Sequence, residues 1–131
     1  MADLKIRLKK LKRMLEVQKQ LRQLHEWKVS DTQVKKNKVI EDKDTLVSAL
    51  NHFHSNGALL SDLIGRKLTA VSKKGLALDV IYSSQSKVLQ GQQRKVVQIE
   101  RAFIDAKNVS MAEEAKQDLL EVIEISLMKK S

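Results

Sequence analysis

One heptad register, held without interruption from Ile64 to Ala106, constrains this chain more than any other feature of its sequence. Alternate steps of four and three residues give Ile64, Leu68, Val71, Gly75, Leu78, Tyr82, Gln85, Leu89, Gln92, Val96, Ile99, Phe103 and Ala106, and nine of these thirteen are large apolar or aromatic residues. A sustained repeat of 3.5 is the seam of a coiled coil. A straight helix drifts by about 20° per heptad from such a stripe, so the seam is buried only by a partner helix wound around it with left-handed supercoil.

The first half of the chain supplies a second register: Leu4, Leu8, Leu11, Leu15, Gln18, Arg22, His25, Val29, Thr32, Lys36, Val39, Lys43, Leu46, Leu50 and Phe53. Its ends are apolar and its middle is polar. Around the middle, apolar residues move one position sideways to Val17, Leu21 and Leu24, which predicts a local change in supercoiling. His25, at a seam position, reads as a packed polar residue.

Between the two registers stands Ser55-Asn56-Gly57. Asn-Gly often closes a β-hairpin, but the flanks here have helical spacing and no period-two alternation, so the tripeptide reads as a tight helix-to-helix turn over 55–57. The expected helices cover about 4–54 and about 58–107, each about 75 Å long at 1.5 Å per residue. Folding the chain back at the turn places Gln92 near Arg22, Gln85 near Val29 and Gly75 near the stretch from Lys36 to Val39. Polar groups in a seam cost stability but fix register and orientation, so interruptions that meet in this way favour the intramolecular pairing.

After Ala106 the register stops at Asn108-Val109, and Ser110-Met111-Ala112-Glu113 has the spacing of a capping box. This predicts a short third helix over about 111–128; the alternative is a kink, or simple continuation of the second helix. Leu119, Leu120, Val122, Ile123, Ile125, Leu127 and Met128 are too many apolar residues for one narrow stripe. Either the tail folds back to build a local three-helix section, or its apolar surface awaits another chain.

Composition agrees with this architecture. The 131 residues include no proline, four glycines and four aromatic side chains, which favours a few long helices over a turn-rich globule. The fold class is all-α: a long antiparallel two-helix coiled-coil hairpin with a short third helix, forming a single domain over 1–131. With no cysteine there is no disulfide or thiol chemistry. No apolar run approaches the roughly 18 residues of a membrane span, and the first residues lack the unbroken apolar core of a secretion signal, so the expectation is a cytoplasmic protein.

Enzymatic chemistry finds no foothold. Gly57, Gly65, Gly75 and Gly91 are isolated and make no phosphate-binding loop. His52 and His54 are two residues apart, whereas helical metal pairs need spacings of three or four. The reading is a non-enzyme without cofactor or metal, with catalytic residues none.

Function then rests on surfaces. The formal charge of +9 divides as +6 over 1–56, +5 over 57–108 and −2 over 109–131, a basic body with an acidic tail. Lys5, Arg7, Lys9, Lys10, Lys12 and Arg13 cluster on an amphipathic start whose Leu4, Leu8, Leu11 and Leu15 share the downstream register. A membrane-surface or targeting helix would have the same composition, but the shared register identifies the charged, open end of a hairpin, suited to an acidic protein surface. His52, Phe53, His54, Leu59 and Leu60 form a weaker candidate surface at the turn. Nucleic acid could be held by phosphate contacts alone, yet Trp27, Phe53, Tyr82 and Phe103 are dispersed and no base-reading motif is present.

The stretches Leu8-Lys-Lys-Leu-Lys-Arg-Met-Leu15 and Gln18-Lys-Gln-Leu-Arg-Gln-Leu24, with Gln90-Gly-Gln-Gln-Arg-Lys-Val-Val-Gln-Ile-Glu-Arg101 and Asp118-Leu-Leu-Glu121, resemble the FliJ and YscO group of bacterial flagellar and type III secretion export proteins. The resemblance implies a cytosolic stalk whose open end enters a hexameric export ATPase and which links it to the membrane export gate, with substrate chaperones as further partners. On this chain the ring-facing part would be Leu4 to Leu15 with the C-terminal helix, located in the cytoplasm and peripherally at the membrane export apparatus. Other readings of the same surfaces are a general coiled-coil adaptor or oligomeric scaffold and, third, a nucleic-acid-associated protein.

Overall fold

The computed structural model describes the backbone of residues 2–53 and 58–130, and all of it is helical. Helix α1 runs over Ala2–Phe53 and helix α2 over Ala58–Lys130. The two long helices pack against each other, the all-α hairpin expected from the paired registers; the turn expected at 55–57 lies outside the described residues. Among the described residues there is no strand.

The chain divides into two compact units, one made of Met1–Arg22 with Gln92–Ser131 and the other of Gln23–Gly91. In each unit a segment of α1 runs antiparallel to a segment of α2. The seams are those set by the heptads: every α1 position from Leu4 to Leu50 and every α2 position from Ile64 to Ala106 in the two registers is buried or half-buried. Val96, 1% exposed, is the most enclosed large side chain among them. Burying a side chain of this kind stabilises by about 1.5–3 kcal/mol.

Within the Gln23–Gly91 unit the polar interruptions pair. Thr32 Oγ1 donates to Gln85 Oε1 at 2.5 Å. Lys36 extends its stem from the seam and places Nζ 3.2 Å from Asp79 Oδ1 and 4.3 Å from the centre of the Tyr82 ring. Gly75 meets Val39 as the fold-back placed it: a Cβ at position 75 would lie 3.2 Å from Val39 Cγ1, so the glycine lets the helices approach closely there. Within the other unit, Gln92 Nε2 donates to the Gln18 backbone carbonyl at 3.1 Å and to the Gln18 side-chain oxygen. Gln85 and Gln92, expected near Val29 and Arg22, hydrogen-bond to Thr32 and Gln18, each about one turn of α1 from those positions.

One expectation needs correction. The third helix over 111–128 does not start anew: α2 is continuous through Asn108, Val109 and Ser110 to Lys130. The capping-box spacing is satisfied in the sequence, but neither proline nor glycine follows Gly91, and an uninterrupted helix bonds the amides that a cap would leave to a single side chain. A continuous helix also removes the fold-back alternative, and residues 111–129 are all exposed. In α1 the seam stays on half-buried Gln18, Arg22 and His25, as the register gave it, and Val17, Leu21 and Leu24 are exposed on another face of the helix.

Candidate protein-docking site

At the start of α1 the heptad separates two sets of side chains. Leu4, Leu8 and Leu11 are half-buried and Leu15 is buried, while Lys5, Arg7, Lys9, Lys10, Lys12 and Arg13 are all exposed. Seam residues recur every 3.5 positions, so the intervening cations spread over the rest of the circumference, held on a helix whose orientation the leucines fix. The first turn of a helix already carries about half a positive charge. Asp3 stands in that turn and partly offsets the local field.

Six cations in the nine residues from Lys5 to Arg13 are unfavourable for an isolated helix. Lys5 with Lys9, and Lys9 with Arg13, are like-charge neighbours at a spacing of four, each destabilising by about 0.2–0.5 kcal/mol. An anionic surface set against them would reverse the sign of that term. Two shallow depressions mark the same end. Asp3, Leu4 and Arg7 of α1 and Glu113 of α2 border one. Ile6, Lys9, Lys10 and Arg13 border the other, an apolar residue among three cations, matched to an acidic ligand that also carries an apolar side chain.

The candidate surface at the turn is described in part. His52 is exposed, Leu59 is 90% exposed and Leu60 is 38% exposed. The side chain of Phe53 and all of His54 lie outside the described residues. Among the described residues no three His, Cys, Asp or Glu side chains are grouped to hold a metal ion, and no helix is long and apolar enough to cross a membrane.

Two apolar surfaces were only partly legible. On α1, exposed Ile6, Met14, Val17 and Leu21 fall along one face at helical spacing. Its signal in the sequence was the sideways step of Val17 and Leu21 off the register. On α2, the apolar residues beyond Ala106 spread around the helix, with Leu120 and Met128 on or beside the seam side and Leu119, Val122 and Ile123 away from it. At 3.6 residues per turn, Glu113, Gln117, Glu121 and Glu124 continue the side that carries Val96, Ile99, Phe103 and Ala106, while Ala115, Leu119, Val122 and Ile123 lie on the far side.

Comparison with protein-family models, curated proteins and solved structures finds no match to this chain.

Proposed function

We propose that this chain is a non-enzymatic helical interaction protein that docks through the basic start of α1 onto an acidic protein surface. The observation that carries this reading is the exposure of all six cations from Lys5 to Arg13 on a helix anchored by its leucines, despite their mutual repulsion. The resemblance in the Leu8–Leu15, Gln18–Leu24 and Gln90–Arg101 stretches extends the proposal to a role: a stalk or chaperone of bacterial flagellar or type III export, located in the cytoplasm and at the membrane export apparatus, with an export ATPase and an export-gate protein as partners. Recognition of this kind would be steered by charge over about 8–10 Å at physiological salt and weakened as salt rises.

The test is a pull-down of the export ATPase and gate protein of the source organism with the purified chain, at several salt concentrations, beside a variant with Lys9→Glu, Lys10→Glu, Lys12→Glu and Arg13→Glu. Specific capture that falls with salt and is lost in the variant, whose helicity is unchanged, supports the stalk reading. Capture that the four reversals leave intact removes the basic end as the docking surface. No capture of either protein removes the export role and leaves the adaptor reading.

A further inference from the structure

We propose that this chain forms a two-fold symmetric homodimer in which the overhanging end of α2 lies along the exposed apolar stripe at the start of α1 of a second copy. Three observations lead there, all within the unit made of Met1–Arg22 and Gln92–Ser131.

The first is an overhang. Asp3, Leu4 and Arg7 gather beside Glu113, so α1 begins opposite the 113 region and the rest of α2, to Lys130, extends past it by about 17 residues, or about 25 Å. The second is uncovered apolar surface. From Met111 to Lys129 every residue of α2 is exposed, so the apolar side chains of this stretch are not covered by α1. Leu119, Val122, Ile123 and Ile125 are 61%, 59%, 46% and 54% exposed. The third is charge. From Glu113 to Lys130 there are five carboxylates and three lysines, while the stretch from Asp3 to Leu21 carries seven cations and two carboxylates.

The charge decides the occupant. Two overhangs laid against each other would bring two net-negative helices together, which is repulsive. The α1 stripe offers the opposite surroundings: Ile6, Met14, Val17 and Leu21, exposed, with Lys9, Lys10 and Arg13 beside Ile6. The lengths also agree, since Ile6 to Leu21 spans about 23 Å of helix against about 25 Å of overhang. An overhang on this stripe buries Leu119, Val122 and Ile123 against it and sets Glu114 and Asp118 toward the cations at its rim. Two-fold symmetry makes the contact twice, because each copy gives one overhang and one stripe. Burying the exposed half of the apolar side chains on both surfaces removes on the order of 800 Å² of apolar area from water. Added to its polar rim, that reaches the roughly 1,200 Å² at which specific interfaces begin.

The experiment is sedimentation velocity on the full chain without any partner, which makes it independent of the export proposal. The wild type is expected to sediment as a dimer whose dissociation increases with salt. The overhang variant Val122→Glu/Ile123→Glu and the stripe variant Val17→Lys/Leu21→Lys are each expected to be monomeric, with far-UV circular dichroism unchanged, because all four positions are exposed. Mixing the two variants should restore association, since the mixture contains one intact overhang and one intact stripe. A wild-type chain that stays monomeric to its highest soluble concentration overturns the proposal. A stripe variant that still dimerises while the overhang variant does not shows overhang-to-overhang pairing, and overturns it equally.

Discussion

Thr32 and Gln85 show what the polar seam residues do. Each is a poor filler for a coiled-coil layer, but the Thr32 hydroxyl donates to the Gln85 side-chain oxygen, so the pair satisfies itself only in this register. Thr32→Val retains the shape and removes the donor, and is expected to lower unfolding free energy by about 0.5–1.5 kcal/mol in chemical denaturation. Val96 is the opposite kind of residue. Val96→Asp would place a carboxylate where the valine is 1% exposed, and is expected to cost more than about 4 kcal/mol and abolish cooperative thermal unfolding. Glycines separate in the same way. A Cβ at Gly91 meets nothing within 4 Å, so Gly91→Ala should stabilise by about 0.5–1 kcal/mol and raise the melting temperature. The same change at Gly75 is opposed by Val39 Cγ1 at 3.2 Å and should gain less.

Helix α2 is where local and longer-range signals diverge. Ser110-Met-Ala-Glu113 reads as a helix start because the side chains are right for one, but a cap forms only if the backbone leaves helical geometry at Ser110, and nothing in the sequence forces it to. The consequence is measurable. If Ser110 capped a new helix, Ser110→Ala would cost about 0.5–2 kcal/mol. In a continuous helix, alanine is the better residue, and the variant is expected to be as stable as the wild type or slightly more so in a denaturant titration. The seams of α1 and α2 were legible from the heptads down to individual residues, including polar Gln18, His25 and Lys36, because a 3.5 repeat sustained over many turns admits only one buried face. What the sideways step of Val17 and Leu21 does was not legible in the sequence; in the structure both are exposed on a face of α1 beside the seam.

For the whole molecule, the division into a basic body and an acidic tail was countable from the sequence, as was the cluster from Lys5 to Arg13. What the charges are for was not, because a solvated helix face and a docking face have the same composition. The structure adds that the six cations are exposed around a leucine-anchored start and that the apolar side chains of the acidic overhang are exposed. Assignment of every exposed surface depends on one claim: that α1 and α2 pair antiparallel within the chain in the register that sets Val39 against Gly75. The absence of cysteine makes this directly testable with a Val39→Cys/Gly75→Cys variant, oxidised and run without reductant beside Ile40→Cys/Gly75→Cys. Val39 is buried and touches position 75, whereas Ile40 is 55% exposed. Disulfides need Cβ atoms about 3.5–4.5 Å apart. An intrachain disulfide is expected to form rapidly in the first variant and little in the second; equal cross-linking in both, or cross-links only between chains, would contradict this pairing.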